Sequence, residues 1–298
     1  MEIEDLGFEA SLVGMQGEGL YLTLPIKSEY RTEVINFILD LEPEWLTLNG
    51  VLRESISGNT FLGTLAGLHQ LSLENTEVTD LPPLNGMHNL WSLNLQNTEV
   101  TDLTPLEGMQ DLAHLNLQGT AVTDLTPLNG ARSLKDLNLQ GTGVTDLTPL
   151  KGMGELISLN IQNTGVTDLT PLNGARSLND LNLQNTEVSD LTPLKGLPHL
   201  AGLYLKSTKV TELTPLKGLP NLRSLDLRQT EVTDLTPLKG LPNLGHLNLY
   251  YTKVTDLTPL KGMPNLVVVG VKEIGGTGLL PLNGTDQEAE QVMPPNGP

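Results

Sequence analysis

The sequence predicts an α/β solenoid in which short parallel strands alternate with short 3-10 turns. Three observations predict this fold class. The chain of 298 residues repeats one phrase every 22 residues from Leu68, without insertion, for ten copies. Each regular copy contains L-x-L, and this period of two is typical of a strand with one buried face. Most copies continue as D-L-T-P-L, which fits one tight helical turn and leaves no room for a full α-helix.

The copy at 222–243, LRSLDLRQTEVTDLTPLKGLPN, shows the skeleton that nine copies keep closely. We number its positions 1 to 22. The leucines at positions 4 and 6 are expected to point inward, whereas positions 3, 5, 7, 8 and 10 point outward. The proline falls in the first turn of the short helix, and the glycine at position 19 lets the chain turn back. The tenth copy has lost the Thr, the Val and the Asp, which is typical of a terminal repeat.

Composition excludes several classes of function. Lys and Arg total 17 against 35 Asp and Glu, and this net charge of −18 argues against a nucleic-acid or membrane-surface binder. The absence of cysteine excludes disulfides and thiolate metal sites. The five histidines show no metal-ligand spacing, and no glycine-rich loop ends in GK[ST]. We therefore expect a protein that is not an enzyme and has no metal or cofactor.

Two features of the sequence bear on the localisation of the protein. The first ten residues are acidic and lack the basic and then apolar order of a signal peptide. No apolar run approaches the roughly 18 to 20 residues that a membrane span needs. We therefore expect a cytoplasmic protein.

The repeats resemble the 22-residue class of bacterial leucine-rich repeats, which occurs in internalins and in a protein-phosphatase regulatory subunit. The resemblance covers 68–284 and implies a right-handed solenoid, with a parallel β-sheet on its concave face and 3-10 turns on its convex face. It also implies protein binding, and side chains at position 9 that bond to the backbone along the stack. Family members usually carry Asn at position 9, where this chain has Thr in nine copies, from Thr76 to Thr252. In the second copy the resemblance is carried by Leu90, Leu93, Leu95, Val100, Asp102, Leu103, Pro105 and Leu106.

The chain divides into three parts. Residues 1–45 are predicted to form an α+β N-terminal cap, with a hairpin over 11–24 and a helix over 28–41. Residues 46–284 are the solenoid, which begins with an irregular strand that contains Trp45, Leu46 and Leu48. Residues 285–298 are predicted to be a disordered tail.

An acidic row follows position 13 of the repeats. Carboxylates stacked at about the strand spacing of 5 Å could bind calcium along the solenoid. The favoured interpretation is that each carboxylate caps its own short turn, where backbone donors offset the mutual repulsion. The row consists of Asp80, Asp102, Asp124, Asp146, Asp168, Asp190, Glu212, Asp234 and Asp256.

The outward positions divide the repeats into two groups. Repeats two to six carry only Asn at position 5 and only Gln at position 7, which recent duplication explains. Repeats seven to nine break this pattern and hold three of the five tyrosines, and 195–272 carries ten basic against five acidic residues. Tyr and Arg dominate binding hot spots. The predicted partner-binding residues are Tyr204, Lys206, Lys209, Asp226, Arg228, Tyr250, Tyr251 and Lys253.

The sequence therefore predicts a non-catalytic scaffold that binds another protein, one with an acidic patch, on its concave face. Trp91 is a separate, isolated aromatic that we expect to be exposed. Two alternatives stay open. The repeated Asn, Gln and Thr rows would suit a glycan or ice, and the basic C-terminal repeats could meet the acidic N-terminal part of another copy in weak self-association.

Overall fold

The computed structural model describes residues 19–23, 45–49, 67–81, 84, 87–274 and 278–281. The predicted helix over 28–41, the tail over 285–298 and the first part of the hairpin over 11–24 lie outside the described residues. Side chains are described for 67–81, 84 and 87–271.

In the described part of the chain, twelve strands form one parallel sheet in chain order, and two further strands form an antiparallel pair. Each regular strand pairs in register with its neighbour, as Leu93 does with Leu115. The predicted solenoid is confirmed. The strands of the sheet are β1 (Gly19–Thr23), β2 (Trp45–Asn49), β3 (Gln70–Ser72), β4 (Ser92–Asn94), β5 (His114–Asn116), β6 (Asp136–Asn138), β7 (Ser158–Asn160), β8 (Asp180–Asn182), β9 (Gly202–Tyr204), β10 (Ser224–Asp226), β11 (His246–Asn248) and β12 (Val267–Val269); the antiparallel pair is β13 (Val271–Ile274) and β14 (Gly278–Pro281).

The irregular first strand that the sequence predicts is β2, which pairs in parallel with β3. In turn β1 pairs in parallel with β2, with Gly19 opposite Trp45. The second arm of the predicted hairpin therefore extends the solenoid sheet.

Among the described residues, eight 3-10 turns lie on the opposite side of the repeats from the sheet, and each has the sequence Thr-Pro-Leu. Proline occupies the first turn, where no backbone donor is needed. The leucine of each turn packs into an aliphatic column that also takes the leucines of positions 1, 4 and 6. The turns are Thr104–Leu106, Thr126–Leu128, Thr148–Leu150, Thr170–Leu172, Thr192–Leu194, Thr214–Leu216, Thr236–Leu238 and Thr258–Leu260.

The position-13 carboxylates bond to the turns, as predicted, in seven repeats. Asp102 Oδ1 accepts hydrogen bonds from the Thr104 backbone N–H at 2.8 Å and from the Thr104 hydroxyl at 2.6 Å. The Thr104 hydroxyl and then its backbone N–H hold the pKa of this carboxyl below its usual range, although desolvation and the charge of Asp124 oppose this. The same N–H bond is made by Asp124, Asp146, Asp168, Asp190, Asp234 and Asp256.

Two members of the row depart from this prediction. In the first repeat, position 15 is Pro82, which has no N–H to donate. Asp80 instead accepts a hydrogen bond from its neighbour Thr79 at 3.0 Å. In the seventh repeat, Glu212 replaces the aspartate, and among the described residues it makes no bond to Thr214. Each short turn therefore depends on its own local sequence for a cap.

The expectation for the threonines at position 9 is wrong in direction. Each of these buried hydroxyls donates to the carbonyl of position 6 in its own repeat, as Thr98 does to Leu95 O at 2.8 Å. The short threonine side chain reaches the carbonyl three residues back, in its own repeat. The row therefore stabilises the bend that follows each strand, and it does not link one repeat to the next.

The last strand of the parallel sheet, β12, departs from the 22-residue period. Val267 pairs with His246 and Val269 with Asn248, so Val267 and Val269 take the places of positions 3 and 5 one residue early. Gly270 permits this arrangement, because its φ is +81° and a Cβ there would collide with the Tyr250 backbone nitrogen. Val267 and Val269 consequently point outward, and they are 52% and 40% exposed.

Candidate protein-binding face

We call the outward side chains at positions 3, 5, 7, 8 and 10 of the repeats the sheet face. In its N-terminal half the polar amides bond to one another. Asn116 Nδ2 donates to Gln96 Oε1 of the preceding repeat at 3.1 Å, and Asn116 Oδ1 accepts from the Gln118 backbone N–H at 3.1 Å. The pattern recurs up to Asn182, which donates to Gln162 at 3.2 Å. We call this arrangement the amide ladder, and it gives the monotonous Asn and Gln rows a structural role.

The amide ladder ends after the sixth repeat. Gln184 is its last glutamine, because positions 5 and 7 of the next repeat hold Tyr204 and Lys206. Both side chains are half-buried. The change in composition is therefore also the point where the side-chain bonds between positions 5 and 7 stop, whereas the backbone bonds of the sheet continue, as from Leu205 N–H to Asp226 O at 2.8 Å.

Tyr204 lies in a cluster at the start of the altered region. Burial raises the pKa of its hydroxyl, the charge of Asp180 adds to this, and a hydrogen bond to Ser224 opposes it. Gly202 lies at position 3 of the same strand, and a Cβ there would collide with Asp180 Oδ1. The Asp180 carboxylate therefore lies against the backbone of β9, next to the tyrosine.

Asp226 and Arg228 correct the prediction that both are free to contact a partner. Asp226 is only 4% exposed, because Arg228 covers it. Arg228 Nε donates to Asp226 Oδ1 at 3.0 Å and to Oδ2 at 2.9 Å, and Nη2 donates to Oδ2 at 2.7 Å. These bonds raise the pKa of the guanidinium, and burial opposes the increase. The pair replaces the Asn and Gln of the amide ladder within its own repeat.

Two of the three predicted lysines also have partners on this chain. Lys209 Nζ lies 3.8 Å from Glu187 Oε1, and Lys253 forms the corresponding ion pair with Glu231. The four residues occupy position 10 of successive repeats, so their charges alternate along the edge of the sheet face. All four side chains are well exposed, and such pairs contribute about 0 to 1 kcal/mol. The lysines are therefore weakly held, and they are less dominant than the net charge of the segment indicated.

Tyr250 and Tyr251 lie side by side, with ring centroids 6.1 Å apart and ring planes at 41°. Tyr251 is 47% exposed, and its φ is +60°. At this position the other regular repeats have Gly, Asn, Ser or Gln, and Gly and Asn are the residues that tolerate this conformation best. A bulky aromatic residue in the left-handed region costs stability and often marks a functional position.

Sequence reasoning missed two residues of this surface, Val267 and Val269. On the 22-residue period they occupy positions 2 and 4, and the second of these is an inward position. The shift of β12 turns both outward, next to the strand that leads to Tyr250. The sequence signal for this shift is the unbroken run Val267–Val269. Because the run has no alternation of apolar and polar residues, it does not specify which residues of the strand face inward. We call Tyr250, Tyr251, Val267 and Val269 the C-terminal patch.

Trp91 is 38% exposed, as predicted, but it is not isolated. Its ring meets that of His114 edge-on, with centroids 5.3 Å apart. His114 Nδ1 lies 2.6 Å from Asp136 Oδ2 on the next strand. These three residues form a small cluster at the N-terminal end of the sheet face, away from the C-terminal patch.

Among the described residues, no group of three or more His, Asp or Glu side chains could hold a metal ion. Within the same part of the chain, no helix has the length and apolar character that crossing a membrane requires.

Family models match two parts of this repeat array. The model of leucine-rich repeats in two copies matches residues 198–240 and 220–262. The model of the leucine-rich-repeat domain of the endo-β-N-acetylglucosaminidase EndoS matches 90–180. The search of curated proteins found no match.

Solved structures extend the comparison. The internalin InlF of Listeria monocytogenes is 26% identical, with a TM-score of 0.63 over 85% of this chain and 86% of its own. The internalin InlC2 of the same species is 30% identical, with a TM-score of 0.51 over 69% of this chain and 82% of its own. A leucine-rich-repeat protein of Leptospira interrogans shares the fold, with 20% identity and a TM-score of 0.72 over 84% and 71% of the two chains.

The chain belongs to the leucine-rich-repeat proteins, a class that commonly serves as a scaffold for protein binding. Within that class its 22-residue repeats and 3-10 turns are those of an internalin-like protein.

Proposed function

We propose that this protein is a non-catalytic scaffold that binds another protein on its sheet face, mainly through repeats seven to nine and the C-terminal patch. The observation that carries the proposal is where the large exposed hydrophobic residues lie. Five are exposed among the described side chains; of these, Val267 and Val269 lie on β12, and Tyr251 lies in the turn that follows β11. An exposed apolar patch with a polar rim is typical of a protein-interaction site.

The predicted contact residues fall into two groups on this basis. Tyr204, Tyr250 and Tyr251 offer aromatic surface, and aromatic anchors lose few rotamers on binding. Lys206, Lys209 and Lys253 supply a charged rim, which attracts an acidic patch on the partner and sets the rate of association more than the affinity. Asp226 and Arg228 stabilise this surface, because Asp226 accepts hydrogen bonds from both the backbone N–H and the guanidinium of Arg228.

The amide ladder in repeats two to six makes the C-terminal repeats the better binding site. Its amides satisfy one another in repeats two to six, so a ligand there must compete with existing hydrogen bonds. No such competition exists at the C-terminal patch, where exposed apolar area is available for burial at about 25 cal/mol per Å².

The test replaces an eight-residue segment of repeat nine by a sequence that occurs elsewhere in the solenoid. The segment LNLYYTKV at 247–254 becomes the LNLQNTEV of 93–100 and 181–188 through Tyr250→Gln, Tyr251→Asn and Lys253→Glu. Because the new phrase occurs twice in the native solenoid, the fold should be kept. We expect this variant to lose the partner that the wild type captures from a lysate of the source organism.

The matched control changes the amide ladder instead, through Asn116→Ala and Gln118→Ala. We expect this variant to capture the partner as the wild type does. Equal losses in the two variants, or a loss only in the control, would contradict a binding site at repeats seven to nine.

A further inference from the structure

We propose that Asp180, Gly202 and Tyr204, on β8 and β9, form a socket for an arginine side chain of the protein partner. The inference rests on the proposed protein-binding function and names one chemical group that the partner must present. Its position, at the point where the amide ladder ends, extends the binding surface towards repeat six.

The missing side chain at Gly202 creates the socket. Every other regular repeat has a side chain at position 3, from Gln70 to His246. A Cβ at Gly202 would collide with Asp180 Oδ1 and would lie 3.3 Å from Tyr204 Cε2. The carboxylate and the edge of the aromatic ring therefore share the space above the backbone of β9.

The tyrosine ring lies beside the carboxylate. Burial raises the pKa of its hydroxyl, the charge of Asp180 raises it further, and Ser224 on the next strand opposes both. An aromatic ring next to a carboxylate suits a guanidinium, which is planar, stacks on aromatic surfaces and donates two parallel hydrogen bonds to a carboxylate. A lysine ammonium lacks this planar geometry.

Asp180 differs from the other acidic residues of the sheet face in repeats three to nine, all of which are described. The others have a basic partner on this chain: Asp136 has His114, Glu187 has Lys209, Asp226 has Arg228 and Glu231 has Lys253. Asp180 has none among the described residues, and burial alone raises the pKa of its carboxyl. The chain has therefore half-buried a carboxylate without supplying the cation that would compensate it.

The ion pair of Asp226 with Arg228, two strands further on, is a model for an arginine bound to Asp180. Arg228 donates to Asp226 through Nε and Nη2, with donor–acceptor distances of 2.7 to 3.0 Å. That pair lies within one repeat, whereas Asp180 is followed two residues later by Asn182, which belongs to the amide ladder. An arginine from the partner would give Asp180 the arrangement that Asp226 already has.

The experiment uses N-acetyl-arginine methylamide as the probe and the neutral N-acetyl-citrulline methylamide as its control, with backbone amide NMR of the full chain at low salt. We expect the arginine probe to shift the amide signals of Gly202 and Tyr204, with a dissociation constant on the order of 10 mM for one side chain. Citrulline should leave both signals unchanged. Asp180→Asn, which keeps the shape of the side chain, should weaken binding at least about tenfold.

Asp136→Asn is the matched control, because Asp136 occupies position 3 two repeats earlier and already has His114. It should leave the response of Gly202 and Tyr204 unchanged. Equal shifts with citrulline, undiminished binding by the Asp180 variant, or no shift at either amide would overturn the socket. None of these results bears on capture by the C-terminal patch, so failure of the socket and failure of the proposed function can be distinguished.

Discussion

The buried ion pair of repeat eight allows a stability prediction with a built-in rescue. Arg228→Ala leaves the Asp226 carboxylate, 4% exposed, without its cation. Removing one partner of a fully buried pair costs about 3 to 5 kcal/mol. Because the Arg228 side chain is 28% exposed, water can reach the carboxylate once the guanidinium is gone. We therefore expect a loss of about 2 kcal/mol.

The rescue is the double variant Asp226→Asn with Arg228→Gln, which installs the side chains of the amide ladder. The new asparagine can accept from the backbone N–H of residue 228, as Asp226 does at 3.0 Å. The new glutamine can accept from Asn248 Nδ2, as Gln96 accepts from Asn116 at 3.1 Å. We expect the double variant to lie within about 0.5 kcal/mol of the wild type.

Amide hydrogen exchange is the suitable assay, because long repeat arrays open locally and do not always unfold in one step. The amides to follow are Leu227 N–H, which donates to Asn248 O, and Leu249 N–H, which donates to Val269 O. A loss of about 2 kcal/mol corresponds to exchange about 30-fold faster. The reasoning is refuted if Arg228→Ala leaves exchange unchanged, or if the double variant exchanges as fast as the single one.

Three further predictions follow from other features. Tyr251→Asn should raise the free energy of unfolding in urea by about 0.5 to 1 kcal/mol, because it relieves the positive φ, and Asn185→Tyr should lower it. Gly270→Ala should cost more than about 2 kcal/mol of local stability, seen as faster exchange of Leu249 N–H; unchanged exchange would count against the shifted register. The seven capping aspartates have pKa values that are lowered in the folded state, as that of Asp168 is. The stability that they contribute is therefore present above about pH 4 and is lost as the pH falls through the folded pKa values. Acid titrations monitored by circular dichroism should show this loss of stability, and the loss should be smaller in the Asp168→Asn variant.

The fold could be predicted from sequence because each level of the repeat favours the same structure. The period of Leu90, Leu93 and Leu95 fixes the buried face, and Asp102 with Pro105 fixes the turn that follows. These are local signals, and nine copies of them leave little freedom in the register of β3 to β11.

The remaining features depend on contacts between repeats, which a single repeat does not encode. The bond from Asn116 to Gln96 joins residues 20 apart, and it becomes visible only once the rungs are stacked. The burial of Asp226 depends on the rotamer that Arg228 adopts. The shift of β12 was missed because Leu266 continues the period in sequence, whereas Gly270 allows a different register in space.

The end of the amide ladder at Gln184 has a mechanical consequence. Up to that rung, side-chain hydrogen bonds run alongside the backbone bonds of the sheet, so each repeat is fastened to the last by two seams. Beyond it this row of amides stops, and neighbouring repeats are joined by the backbone bonds, the leucine column and isolated side-chain bonds such as that from Ser207 Oγ to Gln229 Oε1 at 2.9 Å. Under load, or at the onset of heating, the three rungs that begin at Tyr204 should therefore peel away first, and a companion molecule clamped across them would act as the missing seam.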